Sequence, residues 1–439
     1  MMGLKSILGK VETACVALLF VVTPLIVTTF TYELFEFPKM IFVYFVGAAL
    51  LASKLTQIII DGRLPKINVD RKIVILFATF VIINAISVMF SPFKYTGLWG
   101  YYSRFSGGLI STFIYFGVFL VLLTWEKTKL LEVLKWLLMS SVLVAIYGIA
   151  QHFGLEKDRW VQDVTARVFS SFGQPNWLAA YNVLIIPVTF YFSLIMKSRR
   201  DKVIFSIILM LNFASLWFTF SMSGLVALVV SVIFIILLMN NKVRVTNWKL
   251  LTVQAACCLL IVVLQPGLAA GRISDTFKTI KSKVSVVTAA YAATTDLQVG
   301  DTGNIRLIVW QGVIKAALKD PKTFLIGNGP ETVAYTLLPY RPLAMNQTSE
   351  WGLLYNKAHN YFLDLLLNTG IAGLLAYLCI NIIAIITAIK TRNDTLKLAI
   401  GAALIGNLIT NFFGWPVVMT SLIFALYLAL LAKKDENII

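Results

Sequence analysis

The sequence predicts an all-α, polytopic integral membrane protein of about twelve transmembrane helices, and three observations carry that prediction. The 439 residues are 59% hydrophobic and only 13% charged, against about 45–50% apolar and about 25% charged in soluble domains. The apolar residues fall into twelve runs near the length of about 20 residues that crosses a bilayer. Basic residues between those runs are dense in one connection and sparse in the next. Cys15, Cys257, Cys258 and Cys379 lie inside the apolar stretches, where they behave as small hydrophobes and offer neither a metal spacing nor a disulfide framework.

Taken in order, spans are expected at 11–30, 40–60, 73–91, 109–124, 130–151, 177–196, 203–221, 223–239, 250–266, 370–389, 396–412 and 415–432, one membrane domain covering 1–439. Pro24, Pro187 and Gly401 fall inside them, which membrane helices tolerate. The first run lacks a small-residue cleavage site and is expected to be a retained span. One set of short connections, with the two ends, holds twenty-one Lys and Arg; the opposite set holds six: Lys39, Lys94, Arg104, Lys157, Arg159 and Arg167. The positive-inside rule then puts both termini in the cytoplasm. These loop charges also account for the formal net charge of +17, so no nucleic-acid partner is expected.

The hydrophilic stretch 267–357, between the ninth and tenth spans, becomes one long extracytoplasmic loop. Its ten basic residues do not oppose the assignment, because long loops cross largely regardless of charge. Within it, 306–319 reads as a helix with Leu307, Trp310, Ile314 and Ala317 on one face, expected to rest on the membrane surface. The Thr-, Val- and Ala-rich stretch 276–299 fits helix or coil equally.

Chemistry is expected at the outer face. The two histidines, His152 and His359, both fall there, His152 reading as an interfacial packing residue. Arg104 (Y-Y-S-R-F-S-G-G), Arg167 (R-V-F-S-S-F-G-Q-P-N-W), Arg306 (N-I-R-L-I-V-W) and Arg341 (P-Y-R-P) share that side. A guanidinium is a permanently charged, planar fork suited to phosphate; interfacial arginines also simply anchor helices to lipid phosphates. No P-loop, dinucleotide fingerprint or H-E-x-x-H occurs, and G-N-G-P-E at 327–331 lacks the Walker lysine. No cofactor is expected. External acids such as Asp158, Asp163, Asp296, Asp301, Asp320, Glu331 and Glu350 show no D-x-D spacing, so no metal is expected either. The spans are nearly free of ionisable groups, which counts against a transporter or flippase, the rival of another class.

With R-V-F-S-S-F-G-Q-P-N-W-L-A, R-L-I-V-W, G-N-G-P-E and H-N-Y-F-L-D-L-L-L-N-T-G-I-A-G in hand, the chain resembles the O-antigen ligase and O-antigen polymerase superfamily over about 100–432. The resemblance implies a GT-C-like helical bundle in the bacterial cytoplasmic membrane, and a glycosyltransferase using a polyprenyl-diphosphate-linked glycan as donor. The acceptor is a glycolipid in ligases, another lipid-linked glycan in polymerases and a protein in related enzymes. Carried over, the diphosphate-binding arginines become Arg167 and Arg306, and the essential histidine becomes His359. Arg104 joins the diphosphate set by position. The sequence departs from the family at T-F-S-M-S-G-L-V-A-L, where Met222 stands in place of an expected arginine. The site then relies on Arg167, Arg306 and Arg104, or its activity is altered. The shape-and-division peptidoglycan polymerases, which also pair many spans with a lipid diphosphate donor, fit the motifs less well.

The expected mechanism is metal-independent and inverting. Arg306 and Arg167 stabilise the leaving diphosphate, and His359, neutral near its ordinary pKa of about 6.5, takes the proton of the attacking hydroxyl. Asn360 either caps the following helix or orients a reactant. Asp364, five residues beyond His359, turns partly away from it on an ideal helix and is not paired with it.

Overall fold

The computed structural model describes residues 2–265 and 302–434; the stretch 276–299 lies outside them. All twelve expected spans are helices. Eight are long and apolar enough to cross a membrane: Gly3–Leu25, Glu36–Asp61, Arg71–Met89, Lys127–His152, Pro175–Ile195, Arg199–Phe218, Tyr361–Lys390 and Thr395–Phe412. Leu109–Leu123, Met222–Leu238, Trp248–Leu264 and Val418–Ala432 are shorter apolar helices. Among the described residues the sole β-pairing is an isolated bridge, Val69 to Lys433. The chain is a polytopic all-α membrane protein.

Side chains supply the helix boundaries. Asp70 and Asp394 accept hydrogen bonds from the first free amides of their helices, and Pro175 opens its helix at a position where no amide is needed. Gly62, left-handed at φ 61°, closes the Glu36 helix. The Val418–Ala432 helix is apolar on every face and buried along almost its whole length, as a helix in the middle of a bundle must be.

Contacts between helix ends sort into two groups. At one end, Lys5 pairs with Asp61, Lys127 with Asp394 at 2.8 Å, and Lys433 Nζ donates to Leu123 O at 2.7 Å. This end gathers the lysine-rich connections. At the opposite end, Val418 N donates to Glu36 Oε2 at 2.8 Å and Ser87 Oγ to Asn368 O at 2.8 Å. That end carries the long insertion.

Three expectations change in detail. The helix Thr302–Ala317 forms, but it buries Ile305, Val309, Val313, Ala316 and Ala317 against the returning chain. The expected stripe is thereby split: Trp310 and Ala317 turn inward while Leu307 and Ile314 are exposed. Packing on the protein, not on a membrane surface, sets the helix rotation. Lys39 is no loop residue; it sits in the first turn of the Glu36 helix, fully buried, donating to Ser171 O at 2.5 Å beside Glu36. The tenth span starts nine residues early, at Tyr361, and breaks at Gly370 (φ 68°, ψ −175°). That conformation is open to glycine, and a Cβ there would collide with the Leu325 carbonyl group, as one at Gly327 would with Asn368. The glycines of G-N-G-P-E and T-G-I-A-G therefore serve a close crossing of two backbones.

Candidate active site

His359 occupies a taut link between the insertion and the Tyr361 helix. Its φ of 54° is left-handed, a conformation disfavoured for most side chains. The neighbours explain how it is held. Asp364 Oδ1 accepts from Ala358 N at 2.7 Å and Trp310 Nε1 donates to Ala358 O at 2.8 Å, so the residue before His359 is gripped on both backbone atoms. Asn360 caps the helix, accepting from Phe362 N at 3.0 Å and Leu363 N at 3.2 Å. Capping, not reactant orientation, engages its carboxamide oxygen. Asp364 does not pair with His359.

Trp415 is the plate around which the charged groups gather. The His359 ring meets it edge-on at 5.0 Å, while Arg104 Cζ lies 5.6 Å and Lys357 Nζ 5.9 Å from its centroid. Cations favour aromatic faces, and here two lie over one ring. Arg104 Nη2 is buried and donates to no partner among the described residues. Lys357 forms a buried ion pair with Glu331. Arg306 makes no ion pair among the described residues; burial lowers its pKa, with Glu350 opposing.

His359 feels these charges. Burial first, then Arg306, Arg104 and Lys357, push its pKa down from 6.5 to about 4. The imidazole is therefore neutral at physiological pH, as expected, but by a wider margin than an ordinary histidine. Arg306, Arg104 and His359 are thus brought together.

Arg167 stands one residue further out. Its Nε donates to Thr219 O at 3.0 Å and Nη2 to Asn176 Oδ1 at 3.3 Å, and Asn176 lines the same small cavity as His359, Gln174, Trp177 and Trp415. Ser221, the N-cap of the Met222 helix, donates to the same Asn176 oxygen at 2.8 Å. Met222 is therefore next to the anchor of Arg167. Arg341 instead donates to Trp351 O and lines a separate pocket. His152 stacks on Phe218 at 3.9 Å with Nδ1 3.0 Å from Thr165 O, so it packs on protein, not on headgroups. Among the described residues, no group of three or more His, Cys, Asp or Glu is placed to hold a metal ion.

Two participants escape the sequence reading. Lys357 lies two residues before His359, inside the motif's approach, and Trp415 lies 56 positions on, in the link just before the Val418 helix; neither carries a local signal that separates it from interfacial packing. The arrangement offers a neutral imidazole beside guanidinium groups at one end of a membrane bundle, suited to an anionic group with a hydroxyl next to it. Residues 205–378 match the family model described as O-antigen ligase. No curated protein matches the chain.

Proposed function

We propose that this protein, whose residues 205–378 match the O-antigen ligase family model, is a membrane glycosyltransferase acting at the extracytoplasmic face. The donor is a polyprenyl-diphosphate-linked glycan, and the acceptor is a hydroxyl of a glycolipid, another glycan or a protein. The observation that carries the proposal is a neutral His359 amid Arg306 and Arg104, two cations that lower its pKa.

In the reaction, the acceptor oxygen attacks the anomeric carbon from the face opposite the diphosphate, and its proton passes to His359. The anomeric C–O bond breaks, its electron pair leaving on the diphosphate and the configuration inverting. Arg306 and Arg104 hold the diphosphate, with Arg167 reinforcing them through Asn176, and stabilise charge as it develops. The low pKa of His359 acquires a purpose here. The bound diphosphate offsets the surrounding cations, so the imidazole gains basicity only when donor is present. No metal enters the scheme.

A reconstituted assay with lipid-linked glycan tests this. His359→Ala and Arg306→Ala should each nearly abolish transfer while leaving expression and thermal unfolding unchanged, and EDTA should have little effect. Full turnover by the His359→Ala protein would remove the general base, and strong inhibition by EDTA would remove the metal-free scheme.

A further inference from the structure

Beside the cationic site, and separate from it, a chamber of about 100 Å³ descends between the Arg71, Leu109, Tyr361, Thr395 and Val418 helices. Its mouth is formed by Ser106, Gly107, Pro330 and the Lys357–Glu331 ion pair. Its floor is aromatic, with Phe77, Phe80 and Phe424. Between them it exposes Asn84, Asn368, Asn407, Thr369 and Tyr361, an unusual run of hydrogen-bonding groups for the interior of a membrane bundle. The first four are more than nine-tenths buried. Asn407 Oδ1 accepts no hydrogen bond among the described residues.

Three physical constraints select the occupant. Asn84 Nδ2, Thr369 Oγ1 and Asn368 Oδ1 already have protein partners, but an isoprenoid chain would leave Asn407 Oδ1 facing hydrocarbon with none, which is costly. The space is well above what one water requires. Among the described residues, the charges on the wall are Lys357 and Glu331, which cancel each other, whereas the His359 side is dominated by cations. An occupant with many hydroxyls, one apolar face and no net charge satisfies all three. Residues 357 to 361 form the partition: Lys357 and Tyr361 face the chamber, and His359 faces the neighbouring cavity.

We propose that this chamber is a binding site for one neutral sugar ring, with Asn407 and Asn84 recognising its hydroxyls and the aromatic floor its apolar face. Its role as the glycan-recognising subsite of the transferase rests on the function proposed above; binding itself does not. Charge segregation then divides the labour, the diphosphate going to the arginine side and a neutral ring to the amide side. An acidic sugar is rejected, because Lys357, the one cation among the described lining residues, is already paired.

The test uses the full-length protein in a detergent without a sugar headgroup, with methyl glycosides of neutral hexoses and of glucuronic acid as probes in saturation-transfer NMR. Neutral glycosides should bind saturably and the glucuronide should not. Asn407→Leu should weaken binding about tenfold, the loss of roughly one buried hydrogen bond. Ser106→Trp, on the half-buried loop at the mouth, should block it without touching the bundle, and His359→Ala should leave it intact. Absence of saturable binding, equal binding of the glucuronide, unchanged affinity in Ser106→Trp, or displacement by farnesol would each overturn the proposal. Sugar binding in a protein that transfers nothing from any lipid-linked donor would sink the transferase reading and leave the chamber assigned.

Discussion

The most informative perturbation is protonation of His359. A pKa brought from 6.5 to about 4 corresponds to roughly 3 kcal/mol of preference for the neutral ring. The chain has two histidines, so ¹⁵N-histidine labelling gives two Nδ1–Nε2 signal pairs, and His152→Gln identifies the one that belongs to His359. That signal should titrate near 4 in the free protein. Arg306→Gln removes the largest Coulombic cause and should raise the value by about one. The kinetic counterpart follows in sign. A base must be deprotonated, so kcat/KM should hold as pH falls and collapse only toward 4. At pH 5 about nine-tenths of the free enzyme stays competent, against roughly one-thirtieth for an unperturbed imidazole. Stability follows the same sign. With the folded value below the unfolded one, the neutral ring's contribution is whole above about 6.5 and is lost as pH falls toward 4. A His359 signal titrating at 6.5, or one that Arg306→Gln leaves in place, would refute the cationic-site reasoning.

Other expectations follow from single contacts. Trp310→Phe keeps a ring against Phe412 (5.6 Å) but loses the hydrogen bond to Ala358 O; transfer should fall about tenfold for a loss of roughly 1.4 kcal/mol, read as kcat with unfolding temperature nearly unchanged. Lys357→Met leaves Glu331 buried and unpaired and should cost about 3–5 kcal/mol; adding Glu331→Gln should recover much of it, measured by chemical denaturation in detergent. Gly370→Ala forces a side chain into the Leu325 carbonyl at a backbone angle of 68° and should cost about 3 kcal/mol or more, seen as loss of monodisperse protein.

The membrane architecture was legible because each span is written locally, as a run of apolar residues closed by a cap or a turn. Its pairing was not. The grip of Trp310 on Ala358 joins residues 48 apart, the Lys357–Glu331 pair residues 26 apart, and the Ser87–Asn368 hydrogen bond residues 281 apart. None leaves a periodic trace. The rotation of the Thr302 helix was misread for the same reason: Leu307 and Ile314 have the right spacing for an apolar stripe, but the groove beneath prefers Val309 and Val313. Lys39 shows the converse. Its charge suggested a loop, and the partners that permit burial, Glu36 and Ser171 O, come from its own helix turn and from a segment more than a hundred residues away. Arg104, Arg306 and His359 could be nominated from the sequence because residue type, expected side of the membrane and motif resemblance restrict the choice; Trp415, the ring that Arg104 and His359 share, could not.

Backbone strain points to the same end of the molecule. Of the six non-glycine residues at positive φ among the described residues, Glu156 lies apart, and the other five, Phe105, Ser170, Phe220, Glu331 and His359, each adjoin a component of the site: Arg104, the turn after Arg167, the Thr219 anchor of Arg167, Lys357 and the imidazole itself. Each such conformation costs about 1–3 kcal/mol and persists only when its surroundings over-determine it. Those surroundings are identifiable. Gln151 Oε1 accepts from Ser170 N at 2.7 Å and Phe169 N at 3.3 Å, Arg167 holds Thr219 O, and Asp364 with Trp310 grips Ala358. A structure that merely anchored helices to lipid would gain nothing from fixing strained residues beside Arg104, Arg167, Lys357 and His359. A transferase would, because donors aimed in advance at a leaving diphosphate need no reorganisation when the charge appears. Relaxing one of these clamps, as Trp310→Phe does, should therefore slow turnover before it loosens the fold.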